Sequence, residues 1–277
     1  MPGIQIKVVQ AMTIPQEHEA EFLASMAQKL ELSPIGHKIF TQRLSHDKQE
    51  AKWSTMFDCL DYPVTEDKAR KDWSKEIIPK LKQWGFTYQK DTKKLWVEAR
   101  QWLAQTQFET WLWEQLTQKA QRTQQMGFLE EIETSGVEDL GARHEPSKRY
   151  LDKVRLENEV ILEINLTATA YLTLLEREPN GTVVCLCPSE YAPNPQLSGQ
   201  TERIPQPSAP YPTFAATELG QEQWIALLTP QSPPFEWLEQ SRWEALELEA
   251  SHLQEVFEYV KQESQARLLY TEYEVVK

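Results

Sequence analysis

Three cysteines and five histidines are the most reactive side chains in this sequence, and 42 carboxylates are the most numerous ionisable ones. A cysteine nucleophile needs a base beside it in space. Cys185 and Cys187 lie two apart in the apolar run TVVCLCP. On a strand such residues share one face, so the pair reads as small buried hydrophobes with inert thiols. Of the histidines, His144 falls in a polar linker and His252 at a polar helix position, so neither supplies a base. A zinc site needs paired ligands at matching spacing, and no Cys/His pairing of that kind occurs. Three cysteines are too few for a disulfide framework. Glu130, Glu131, Glu133, Glu138 and Asp139 cluster, but a general acid needs burial to raise its pKa. Their stretch reads as a solvated acidic hinge. The nine glycines form neither G-x-x-x-x-G-K nor G-x-G-x-x-G, so no phosphate cradle is expected. These residues predict no catalytic set, no metal and no cofactor, and the protein is expected not to be an enzyme.

Charge points instead to recognition. The formal net charge is -13, yet Lys68, Arg70, Lys71, Lys75, Lys80, Lys82, Lys90, Lys93, Lys94 and Arg100 fall in one segment. Only Asp72, Glu76, Asp91 and Glu98 oppose them there. Such asymmetry suggests an acidic partner for this region, beside the plainer reading of a solvated helix face. The turn Asp61-Tyr62-Pro63 separates a helix holding Trp53, Met56, Phe57 and Leu60 from one capped by Thr65 and carrying Ala69, Trp73 and Ile77. A helix-turn-helix over about residues 50–85 would present Lys68, Arg70, Lys71 and Lys75 as a recognition helix does. Phosphate contact by these groups would weaken steeply with salt. Glu66, Asp67 and Asp72 on the same helix oppose it, as does the acidity of the whole chain. Trp111 and Trp113 are too close in sequence to share one narrow stripe, so one is expected at the surface for a partner.

Helix signals position these groups. Ile4, Ile6, Val8 and Val9 suggest one short strand. Thr13 and Pro15 open a helix that buries Phe22, Leu23, Met26, Ala27 and Leu30. Ser33-Pro34 opens another that buries Ile35, Ile39 and Phe40. Pro79 should kink the helix after Thr65 or start a new turn, and Gly85 should end it. Asp91 starts a further apolar pattern running to Leu116, as one bent helix or two. From Gln124 the pattern fades into a linker. Then come strand-like runs: EVILEINL, YLTLLERE, the turn Pro179-Asn180-Gly181, TVVCLCP and LGQEQWIALLTP. Trp243, Leu246, Ala250, Leu253, Phe257 and Val260 predict a long amphipathic helix of about seven turns, followed by the strand RLLYTEYEVV.

The runs YLTLLEREPNGTVVCLCPS, LSGQTERIPQP and ELGQEQWIALLTP carry a resemblance. Residues 155–230 resemble a bacterial β-rich domain family of unknown function that accompanies caspase-like proteases and protein kinases. Tyr171, Leu172, Gly181, Leu186, Pro188, Gly199, Ile204-Pro205 and Gly220 match its pattern. The resemblance implies a β-sandwich used for sensing or interaction, with no established catalytic residues; no caspase-like or kinase domain accompanies it here. Residues 30–90 resemble the helix-turn-helix modules, winged ones included, of bacterial regulators.

The expected fold is α+β. A helical domain spans residues 1–128 and a linker residues 129–150. A β-sandwich-like domain with the long C-terminal helix spans residues 151–277. The expected function is a non-enzymatic adaptor or signalling protein that recognises another protein, within a bacterial regulatory or conflict system. The alternative is a DNA-binding regulator whose β domain senses a ligand or partner. MPGIQIKVVQAM does not read as a signal peptide, and no run approaches the ~18 apolar residues of a membrane span. A cytoplasmic setting without membrane contact is therefore expected.

Overall fold

The computed structural model describes residues 13–56, 64–89, 92–130 and 150–277. The expected N-terminal strand, the turn at 61–63 with Phe57, Cys59 and Leu60, residues Lys90 and Asp91, and the acidic stretch 131–139 with His144 lie outside them. The chain divides into two compact units, Met1–Trp111 and Leu112–Lys277.

The first unit is helical. Helix α1 (Gln16–Lys29) begins after Pro15, with no side-chain cap; Thr13 does not cap it. Phe22, Leu23, Met26 and Ala27 form its buried side, at the spacing that places residues on one helical face. Helix α2 (Pro34–Leu44) opens as the sequence suggests, with Ser33 Oγ accepting from Gly36 N at 3.0 Å and Pro34 in its first turn. Ile39 and Phe40 are buried, whereas Ile35, expected with them, is exposed in that first turn. A short helix α3 (Trp53–Met56) follows.

Helix α4 (Glu66–Asp72) is capped by Thr65, whose hydroxyl accepts from Lys68 N. It runs into a single π turn over Trp73–Ile77 and then helix α5 (Ile78–Gln83). The π turn is the physical outcome of Pro79. Proline lacks an N–H and crowds the carbonyl four residues back; widening the preceding turn relieves this, with Ile78 N–H reaching Trp73 O. Gly85, at φ +100°, ends the run. Gly85 N donates to Lys82 O and Phe86 N to Leu81 O, the paired closure that a left-handed residue permits.

Helix α6 (Leu95–Lys119) is one uninterrupted helix of 25 residues, and it starts at Leu95 instead of Asp91. Arg100, near its start, and Glu19 of α1 form a buried ion pair at 2.6 Å. Glu19 also accepts from Ser45 Oγ and His46 N. Such a pair persists only when its remaining hydrogen bonds are met. The Arg43 guanidinium sits 3.4 Å from the Trp96 ring centre and 4.6 Å from that of Trp53. Burial first, then the neighbouring Arg70 charge, lowers its pKa to about 10.

The second unit is built on two sheets. Its strands are β1 (Gln121–Arg122), β2 (Met126–Glu130), β3 (Lys153–Arg155), β4 (Glu159–Asn165), β5 (Ala170–Arg177), β6 (Val183–Cys187), β7 (Gln196–Leu197), β8 (Thr201–Ile204), β9 (Phe214–Ala215), β10 (Gly220–Thr229), β11 (Leu246–Glu247) and β12 (Arg267–Val276). The larger sheet runs β1-β12-β10-β5-β6-β11, with β3 beside β12 and β7 beside β5. The smaller runs β2-β4-β8, with β9 also on β4. Phe128, Leu162 and Ile164 from the small sheet share a core with Leu174, Trp224 and Tyr273 from the large one. This is a sandwich, and the fold as a whole is α+β.

Two boundaries depart from the sequence reading. Met126–Glu130, expected to fade into a linker, pairs antiparallel with β4. Its inward residues, Met126 and Phe128, are too few to stand out from polar flanks. The C-terminal helix is shorter than expected. Helix α8 spans only Ala250–Gln262, started by a capping box in which Glu249 and His252 exchange hydrogen bonds. Trp243 is 86% exposed, and Leu246 pairs with Cys185 in the large sheet. Ahead of both, helix α7 (Leu238–Ser241) is one turn.

Candidate functional site

On a strand, inward residues recur every second position. In β5 that parity runs Leu172, Leu174 and then Glu176; in β10 it runs Glu222, Trp224, Ala226 and Leu228. Two glutamates therefore face the sandwich interior beside large apolar groups. They line a cleft of about 640 Å³. Val184 and Leu186 of β6, Phe214 of β9, Tyr273 of β12 and Ala245 contribute its apolar side.

The floor is a hydrogen-bonded acid cluster. Glu222 is almost fully buried and accepts a hydrogen bond from Tyr273 Oη. Burial is the main cause that raises the Glu222 pKa, against the hydrogen bonds from Tyr273 and Glu176. Burial, followed by the charges of Glu222 and Glu178, pushes Glu176 well above the ordinary glutamate value. Burial and the Glu222 charge likewise raise the Tyr273 phenol. The Glu222 charge beside it makes Glu176 harder to ionise than a free glutamate.

The rim comes from the hairpin between β5 and β6. Gly181, at φ +96°, lets the turn close, with Gly181 N donating to Glu178 O. Asn180 Nδ2 donates to Glu178 at 3.0 Å and to Glu218 at 3.1 Å. These two add further acid to the opening. An aromatic wall stands opposite: Tyr191 lies 5.5 Å from Tyr211 and 5.1 Å from Phe214, centre to centre. Among the described residues, no lysine, arginine or histidine lines the cleft.

The residues singled out in the sequence lie elsewhere. On α4, Lys68 Nζ pairs with Asp72 at 2.7 Å and Arg70 with Glu66 at 2.7 Å. Lys71, at the end of α4, and Lys75, in the π turn, are exposed and carry no ion pair among the described residues. The expectation that one of Trp111 and Trp113 stands at the surface is corrected, since both are buried. Trp111 packs on Phe22 and Phe108 within the first unit. Trp113 Nε1 donates to Gln223 within the second. Residues two apart on a helix point about 200° apart, so each finds its own packing. Cys185 and Cys187 are fully buried, as their run implies; burial raises the Cys185 pKa to about 12 and Cys187 well above its ordinary value. Glu176 and Glu222 escaped the sequence reading, although the parity of each with an inward Leu or Trp was the available signal.

Fold and cleft together define a two-sheet β module carried by a chain with a helical N-terminal unit. Within that module, residues 153–232 match the family described as a domain of unknown function (DUF4384). The match takes in Glu176, Glu178, Glu218 and Glu222; Ala245 and Tyr273 lie beyond it. No curated protein and no solved structure matches the chain. Among the described residues, no helix is long and apolar enough to cross a membrane.

Proposed function

We propose that this protein works by recognition. It is a non-enzymatic adaptor or signalling component, and its β-sandwich module holds a protein partner. The observation that carries this reading is the Glu176–Glu222 cleft, a concavity of ligand-binding size with acidic floor and rim and an aromatic wall. Tyrosines of this kind anchor partners, because a rigid ring gives large contact area at small entropic cost. The module's resemblance to domains that accompany proteases and kinases in bacteria agrees with an accessory role. A cytoplasmic, bacterial setting belongs to the same proposal. The DNA-binding alternative is left with Lys71 and Lys75, which carry no ion pair among the described residues, since Lys68 and Arg70 are ion-paired on their own helix.

The test is affinity capture with the full-length protein and its Tyr211→Ala variant. Tyr211 is half exposed, so its loss leaves the fold intact. A partner captured by the parent and lost by the variant is the expected result. A capture profile that the substitution leaves unchanged would count against the cleft.

A further inference from the structure

We propose that the cleft takes an organic monocation, an ammonium or guanidinium head presented by the partner's lysine or arginine. This deepens the recognition reading and rests on it. Four carboxyls from three segments, Glu176 and Glu178, Glu218, and Glu222, line one cavity with no basic residue among the described ones. The aromatic wall of Tyr191, Tyr211 and Phe214 supplies ring faces, which attract cations within about 6 Å. Among the described residues, no three His, Cys, Asp or Glu side chains converge as a metal shell, so a single organic charge fits better than a divalent ion.

A separate observation comes from Trp224. Its ring is fully buried, and its Nε1–H has no hydrogen-bond partner among the described residues. Trp224 sits beside Glu222, the residue of the cleft floor on which its N–H acts without forming a full hydrogen bond. A buried donor left unmet is costly. A cation that holds Glu222 ionised and draws its carboxylate into place gives this N–H an acceptor.

The groups facing the cation are Glu176 of β5, Glu222 of β10, Tyr273 of β12, Glu178 and Glu218 at the rim, and Tyr191 and Tyr211 on the wall. Glu176 and Glu222 hold their proton more tightly than free glutamates do. An entering cation therefore replaces that proton, and affinity must rise with pH.

The experiment titrates the full-length protein with n-butylammonium, with a short N-acetylated lysyl peptide, and with its norleucyl counterpart as the neutral control. Tryptophan fluorescence, to which Trp224 contributes, and calorimetry in buffers of different ionisation enthalpy report binding and proton release. The expected result is saturable binding of both cations, absent for the norleucyl peptide, stronger at higher pH and accompanied by proton release. Tyr211→Ala should weaken it about three- to fivefold, and Glu222→Gln, which keeps a partner for Tyr273, at least about tenfold. Tighter binding of the peptide assigns the cation to a protein chain; tighter binding of the free amine assigns it to a small molecule. Equal binding of the norleucyl peptide, or no saturation by either cation in a folded protein, overturns the proposal. If a captured partner still depends on Tyr211 while neither cation binds, recognition stands and the cation does not.

Discussion

Glu176 is the residue whose environment has the clearest consequence. Its pKa is raised in the folded protein, by burial and by the charges of Glu222 and Glu178. A carboxyl with a raised folded-state pKa binds more protons folded than unfolded. Its stabilising contribution is complete below the unfolded value, near 4.5, and is lost as pH climbs through the raised one. Thermal unfolding should therefore show stability declining with pH above the ordinary glutamate range, and Glu176→Gln should flatten that slope. A variant with the parental slope would place the proton elsewhere. The buried Glu19–Arg100 pair behaves differently. Arg100→Met leaves a buried carboxylate without its partner, and such a loss costs about 3–5 kcal/mol, measurable by urea titration. Cys185 and Cys187, fully buried with raised pKa values, should resist iodoacetamide in the native protein and react after denaturation. Peptide mapping by mass spectrometry checks this directly.

At the scale of elements, side chains that sequence spacing cannot connect hold the helices together. Glu76, in the π turn, accepts from both the backbone N and the Oγ of Ser33, at the start of α2. Gly36 makes room for that carboxylate, because a Cβ there would stand 2.7 Å from Glu76 Oε2. Lys80 of α5 donates to Leu30 O and Glu31 O, the open carbonyls at the end of α1. Much of the basic stretch is thus spent inside the fold. Ser33→Ala removes the helix cap and the hydroxyl contact to Glu76, keeping the backbone one, and should lower stability by about 1–2 kcal/mol, read from thermal denaturation. The strand and helix starts that carry local signals, Ser33-Pro34, Thr65 and the hairpin at Pro179-Asn180-Gly181, appear where the sequence places them. The C-terminal helix does not begin at Trp243, because Leu246 is taken by the edge of the large sheet. Period alone could not show that competing partner.

For the whole molecule, the acid excess and the in-chain pairing of Lys68 and Arg70 argue against strong phosphate binding. A duplex DNA titration of the full-length protein should stay flat near physiological salt. Salt-sensitive binding that Lys71→Glu abolishes would instead favour the regulator reading, since each lost phosphate contact lowers the salt dependence.

By itself the sequence determined the α+β order, nearly every long strand, and the inert setting of the two described cysteines. These follow from local periodicity, turn residues and capping, which act over a few positions. Only the tertiary structure decided that Trp111 and Trp113 are both buried, that Met126–Glu130 joins the small sheet, and that Glu176 and Glu222 meet. These depend on strands and helices far apart in the chain. Two glutamates 46 positions apart become one acid cluster only when β5 and β10 lie side by side in register.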